Sequence, residues 1–304
     1  MTRSVSDPVG VELCWDRLAA ATDEAASTML GTAFPAITRE SNGCTVFLMD
    51  RADCAMAEPR AGVPALMSSL TELVLERFPA DDWQDGDSVI TNAPWIATGH
   101  VPDIAMISPV LHRGRLVAFA GTVAHSQGIG GTPSMNAIEP LCEGVLIPSL
   151  RLFPAGWVEP GVKDLPSASV RRADQVWGGL EAQAAVHAVC RRRAREVLTD
   201  FREQDFEAFA AQVHAVTDAA MRAGVRDLPD GVHRAALDAD GVDGHPTPID
   251  CTVTVRGEEI GIDCTGGSPG ALHDELDAER STPPARTTCP AAVQHGGGAK
   301  GRPV

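Results

Sequence analysis

The spacing of hydrophobic positions changes along the chain, and each change marks an element. In "DPVGVELCWDRLAAATDEAASTMLGTAF", Val11, Cys14, Trp15 and Leu18 fall three and four residues apart. That is the spacing of one helix face, so a long helix is predicted from near Asp7 and Pro8 to a stop at Gly31. "CTVFLMD" at 44–50 is a short apolar run with β-branched members and predicts a strand, with a turn over Asp50 to Asp53. "ALMSSLTELVLERF" returns to helical spacing through Leu66, Leu70, Leu73 and Val74 and is closed by Pro79, and "DGDSVITNAP" predicts a strand entered from an acidic turn.

The clearest β pattern lies at 103–124, where "DIAMISPVL" and "RLVAFAGTVAH" flank the short turn "HRG". This predicts a hairpin whose strands are largely buried. A Gly, Pro and Ser-rich loop over 127–136 follows, then a strand in "EGVLIPSLRLF", where Pro148 confines pairing to an edge or a bulge. Residues 180–225 predict two long helices, divided near Gln204 and Asp205 and stopped by Gly224. "CTVTVRGEEIGIDCTG" alternates on both sides of "RGEE" and predicts a second hairpin. The last thirty or so residues hold almost no large apolar side chain and no periodicity, which predicts disorder. The expected class is α+β, a mixed domain of buried hairpins and long helices. Residues 1–240 form its main part, 241–270 a hairpin opening an incomplete second domain, and 271–304 a disordered polar tail.

Composition narrows the function classes. With 304 residues and 44% hydrophobic content the chain can bury a substantial core, and its formal net charge of -16 argues against a general nucleic-acid or anionic-membrane surface. The basic run Arg191 to Arg193 with Arg195 falls on a predicted helix, where a solvated charged face is expected. The eight cysteines are scattered without a CxxC pair, several inside apolar runs, and read as buried free thiols of a reducing compartment. Neither a signal-peptide pattern nor an apolar run of about eighteen residues is present, so a cytoplasmic protein is expected.

The candidate chemistry gathers at the ends of the first hairpin. His100 and Asp103 stand just before or at the start of its first strand and His125 ends its second, and a hairpin brings such ends together. Two imidazoles and a carboxylate suit a divalent transition metal. Loop and strand-end histidines are also common without any ion, and spacing alone leaves both readings open. "GIGGTPS" lacks the Lys and Ser/Thr of a phosphate loop, "CTGGS" reads as a strand exit, and His187 and His214 lie on the long helices, where packing or solvation is the expected role. No cysteine has a convincing His and Asp or Asn partnership for nucleophilic catalysis.

In order, "DPVGVELCWDRL", "TAFPAITRES", "GDSVITNAPW", "TGHVPDIAMISPVLHRGRLVAFAGTVAH", "GGTPS", "EGVLIPSLRL", "GGLEAQ" and "IDCTGGSP" resemble the blocks of the hydantoinase B/oxoprolinase family. That family includes the B components of N-methylhydantoinases, the C-terminal part of 5-oxoprolinase and, more distantly, the metal-bearing subunit of acetone carboxylase. The resemblance covers about residues 7–270, and its most specific block is Gly99 to Asp103 followed by Ala124 and His125. It implies that His100, Asp103 and His125 ligate a divalent metal (Mn, Zn or Fe), with Glu139 and Glu143 matching acidic positions nearby. It further implies ATP-dependent opening of a small cyclic amide such as a hydantoin or 5-oxoproline, in a hetero-oligomer. A hydantoinase A-like partner would bind the ATP and phosphorylate the lactam carbonyl oxygen, and the metal-bearing chain would present hydroxide to the activated carbon.

The chain departs from the family pattern at particular positions. Ala93 stands where an aspartate is usual, Ser126, Gln127 and Gly128 where His-Ala-Asp is usual, and Gly179 where an acid precedes "LEAQ". The histidines expected near "AEPRAGVPALM" are absent, and from about Ala271 polar low-complexity sequence replaces a further domain's length. These departures point to altered or lost catalysis and to truncation, as by a frameshift.

Overall fold

A computed structural model of the chain describes residues 7–32, 44–52, 54–60, 70–94, 96, 101–126, 128–131, 140–158, 160–242 and 245–265. Helix α1 (Pro8–Thr32) begins where Asp7 Oδ1 accepts the Gly10 N–H at 2.8 Å, a side-chain cap for a donor that the first turn leaves unpaired. Its Val11, Cys14, Trp15 and Leu18 are buried, as their spacing requires. Strands β1 (Cys44–Met49) and β2 (Ala55–Ala57), helix α2 (Leu70–Arg77) and β3 (Ser88–Thr91) lead to the long hairpin of β4 (Asp103–His112) and β5 (Arg115–His125). A single turn α3 (Pro140–Glu143), β6 (Leu150–Phe153) and α4 (Pro160–Ser169) precede the two long helices, α5 (Ala173–Phe201) and α6 (Glu207–Arg226). Strands β7 (Gly231–Val242), β8 (His245–Arg256) and β9 (Glu259–Asp263) follow.

The first six strands form one antiparallel sheet in the order β2-β1-β5-β4-β3-β6, with the predicted hairpin at its centre. The hairpin turn is Arg113-Gly114, with φ of 52° and 77°. Positive values at both central residues match the turn to the twist of its strands, and Gly114 supplies one without strain. One face of the sheet packs Val46, Leu48, Val110, Ala118 and Ala120 against α1, α5 and α6. The other packs Phe47, Ile107 and Phe119 against Trp83 and against Leu70 and Val74 of α2. Burial on both faces explains why β4 and β5 read as continuous apolar runs and not as alternating ones. Strand β6 starts after Pro148 and takes the sheet edge, as that proline predicts.

Some expectations change. The predicted helix over 66–78 is described from Leu70 onward, and the expected tail at 271–304 lies outside the described residues. Gly224 does not stop α6, which continues to Arg226 because nothing there demands a left-handed residue. Strand β7 is not predicted by its own sequence, since "GVHRAALDADGV" carries too few large apolar residues to show a period; pairing with β8 along most of its length makes it a strand. The second sheet therefore has three strands, β7-β8-β9. Its register places Leu237 opposite Ile249 and Val255 opposite Ile260, and Leu237, Ile249, Ile260 and Ile262 are exposed. Among the described cysteines Cys14 and Cys190 are buried free thiols, Cys44, Cys142 and Cys251 are half-buried, Cys264 is exposed, and Cys54 is disulfide-bonded. The expectation of uniformly buried free thiols is corrected accordingly. Among the described residues no helix is long and apolar enough to cross a membrane.

A buried polar chain locks α5 onto the hairpin. His187 is fully buried, with Nδ1 2.7 Å from Ser108 Oγ and Nε2 3.0 Å from Thr122 Oγ1. Thr122 donates its hydroxyl to Gln183 Oε1 at 2.8 Å, so His187 Nε2 must donate to Thr122 and Nδ1 must accept from Ser108. Only the neutral imidazole can do both. Burial pushes the pKa of His187 down to about 3, and the charge of Arg191 acts in the same direction.

Two outcomes follow. The Phe47 ring lies over Gly121, its partner in the β1–β5 ladder, and a Cβ on Gly121 would fall inside that ring. Gly121→Ala should therefore lower the stability read from urea unfolding by about 1–3 kcal/mol, and pairing it with Phe47→Leu should recover part of that loss. For His187, the unfolded chain binds a proton near pH 6.5 and the folded chain does not. Its contribution is thus present above about pH 6.5 and is lost as pH falls towards 3, by about 1.4 kcal/mol per pH unit. The urea midpoint of His187→Gln should fall less steeply with acidification than that of the parent protein; equal slopes would refute a neutral buried imidazole.

Candidate metal centre at the hairpin end

The β4–β5 ladder sets Asp103 directly opposite His125. Paired residues of an antiparallel ladder project to the same face, and here the side chains meet, with His125 Nδ1 2.8 Å from Asp103 Oδ1. They are 20% and 27% exposed respectively, so the pair is reachable from solvent without being flooded by it. The structure thus brings together two of the three predicted ligands. His100, like Glu139, lies outside the described residues.

The chain that enters β4 is held by groups that sequence spacing does not single out for this role. Asn92 is fully buried, and its Nδ2 donates to the carbonyls of Val101 and Val145 at 2.8 Å each, while its Oδ1 accepts the Ile147 N–H. Glu143 Oε2 accepts the Val101 N–H at 2.8 Å. Beyond the ladder, Ser126 N–H donates to the Pro102 carbonyl at 2.7 Å. An amide and a carboxylate therefore fix the backbone two residues before Asp103. Glu143 stands out in the sequence as an acidic position of this block, whereas Asn92 is noticed there only through its neighbour Ala93. Its sequence signal is an amide at a strand end just before Ala93-Pro94, a position suited to tying loops together.

His125 and Ser126 also line a cleft of about 240 Å³, together with Ile104 and Ala124 of the hairpin, Met29 of α1, and Val176, Gly179, Leu180 and Gln183 of α5. The cleft is smaller than the roughly 300–1,000 Å³ of a complete small-molecule site. Gln183 belongs both to this wall and to the buried chain that ends on His187, which ties the cleft to the packing of α5. Ser126 and Gly179, two of the departures from the family pattern, line the same space as His125.

The remaining candidates fall away on their environments. Burial pushes the thiols of Cys14 and Cys190 up to about 12, which keeps them protonated and poorly nucleophilic, and pushes that of Cys44 upward. The arginines of α5 are not a merely solvated face as expected. Arg192 and Arg193 pair with Glu24 of α1, and Arg195 pairs with Asp85 and donates to the Leu111 carbonyl at 2.7 Å.

Known proteins share this arrangement. The family model described as hydantoinase B/oxoprolinase matches residues 7–280. The B subunit of a D-/L-hydantoinase from Pseudomonas sp. (strain NS671) is 25% identical over 281 residues, covering 86% of this chain and 47% of its own length. The beta subunit of caprolactamase from Pseudomonas jessenii is 29% identical over 191 residues, covering 61% of this chain and 33% of its own. The crystal structure of ATP-dependent caprolactamase from Pseudomonas jessenii superposes with a TM-score of 0.78 at 24% identity, over 88% of this chain and 47% of that one, which shows a common fold. The chain spans less than half the length of these relatives. A family match running from the start of α1 past the end of β9, with the hairpin and its Asp103–His125 pair at the centre, places this chain in the hydantoinase B/oxoprolinase family.

Proposed function

We propose that this chain is the metal-holding component of an ATP-dependent cyclic-amide hydrolase, working with a hydantoinase A-like partner that binds ATP and phosphorylates the lactam carbonyl oxygen. The observation that carries this reading is the meeting of Asp103 and His125 at the rim of a cleft, within the block that the family resemblance marks most specifically. The names of the relatives support it: hydantoins and caprolactam are cyclic amides, and two of the names denote one component of a larger enzyme.

The residues fit a divalent ion. They offer an anionic oxygen and an imidazole 2.8 Å apart in a half-buried setting, and His100 is the third proposed ligand. In a carboxylate–histidine pair the nitrogen held by the carboxylate fixes the ring's tautomer and orientation, and the other nitrogen is the usual donor to the ion. Asp103 accordingly steadies the ring of His125 and contributes negative charge beside it. A bound ion would supply Lewis-acid charge and acidify water at neutral pH. The apolar wall of Ile104, Val176 and Leu180 keeps bulk water from the inner side of the pair.

A second reading, a family member that keeps the fold and the partner surface without the chemistry, is favoured by Ser126 and Gly179. They line the cleft where the resemblance leads one to expect a histidine and an acid.

Metal analysis of the purified chain and ATP-dependent ring opening by the reconstituted pair test both. On the first reading His125→Ala loses about one equivalent of Mn, Zn or Fe relative to the parent chain and abolishes turnover, and Asp103→Asn lowers metal affinity about 10–100-fold. Partner binding that persists in the parent chain, with no hydrolysis of any cyclic amide, would overturn the first reading and establish the second.

A further inference from the structure

We propose that Asp50, Cys54 and His214 form a second cation site, which takes a borderline-soft divalent ion of the zinc type through a carboxylate oxygen, a thiolate and an imidazole nitrogen. Their ligand atoms lie within 4.8 Å of one another, and all three residues are half-buried. No residue is shared with the Asp103–His125 pair.

The turn between β1 and β2 prepares the first two ligands. Asp50 Oδ1 accepts the N–H groups of Ala52 at 2.8 Å and Cys54 at 3.0 Å, and the Asp50 N–H donates to the Cys54 carbonyl at 2.9 Å. These bonds fix the turn through one carboxylate oxygen and aim the other, Oδ2, at α6. There His214 Nε2 lies 3.8 Å away, too far for a hydrogen bond. That nitrogen is sealed from solvent and has no hydrogen-bond partner. A buried polar atom left in this state is costly, and an ion between the ring and the carboxylate would satisfy it. The same turn and the same helix are already drawn together by Arg51 and Glu207, 3.4 Å apart, which also offsets the nearby guanidinium charge.

Ligand chemistry selects the ion. Magnesium and calcium require oxygen ligands, whereas a mixed N, O and S set suits zinc, with a fourth tetrahedral position left for water. Such an ion would clamp α6 to the β1–β2 turn. Because Cys54 is disulfide-bonded in this structure, the site belongs to the reduced chain. A phosphine reductant supplies two electrons, each sulfur takes up a proton, and the ion binds with release of the Cys54 proton.

The test uses the full chain, reduced with a phosphine, stripped by a chelator and titrated with cobalt(II), a spectroscopic substitute for zinc. A near-ultraviolet sulfur-to-cobalt charge-transfer band should develop and should be bleached by zinc. Cys54→Ser should abolish it, and His214→Asn and Asp50→Asn should each weaken cobalt binding at least about tenfold, with circular dichroism confirming that each variant is folded. His125→Ala should leave the band intact, which separates this site from the one proposed above, where no sulfur is present. Absence of the band in the reduced parent chain, or its survival in Cys54→Ser or undiminished in His214→Asn, would overturn the proposal.

Discussion

Because Asp103 stands opposite His125 in the β4–β5 ladder, the candidate site exists only in one register. A slip of a single residue would turn every side chain of one strand to the other face and separate the pair. The protein resists that slip by burying both faces of both strands, so that any shift would also misplace Ile104 and Met106 on one side and Ala105 and Ile107 on the other. The tight Arg113-Gly114 turn at the far end sets the count from which the pairing begins. Packing of the core and placement of the site are therefore one constraint, imposed at the middle of the sheet and expressed at its end.

Much of this was legible in the sequence for a local reason. The continuous apolar runs around "HRG" report burial on both faces and the turn between them, and both properties are carried by residues close together along the chain. The convergence of Asp103 and His125 follows from hairpin geometry alone. What was not legible depends on distant partners. His187 looks in the sequence like any helix histidine, and its role comes from Ser108 and Thr122 on the hairpin. Asn92 binds segments far from it in sequence. Strand β7 has a weak pattern of its own and is specified by β8. His214 meets Asp50 only because α6 folds back over the β1–β2 turn. The family resemblance supplied what spacing could not, a reason to prefer an ion over two incidental side chains.

The frame and the chemistry around the cleft have separable origins. The frame consists of the hairpin register, the Asn92 and Glu143 tethers and the buried His187 chain, and it is complete among the described residues. The chemistry depends on polar groups at the rim, and at the rim this chain carries Ser126 and Gly179. A fold can keep its frame after such substitutions because rim positions contribute little to burial, whereas losing Asn92 would leave several backbone groups unpaired in the interior. Retained architecture and retained activity are thus independent properties in this family fold.

The three-stranded sheet carries a consequence of another kind. It presents Leu237, Ile249, Ile260 and Ile262 to water, and among the described residues β7 and β9 each offer an open edge. Such a surface invites a neighbouring copy to add a strand. Opposing it is the formal charge of -16 that every copy bears. That repulsion reaches only about 8 Å at physiological ionic strength and shrinks as salt is added. The colloidal state of this protein is consequently set by a contest between a short-range attraction that salt does not weaken and a longer-range repulsion that it does, and dilute buffers favour dispersed molecules.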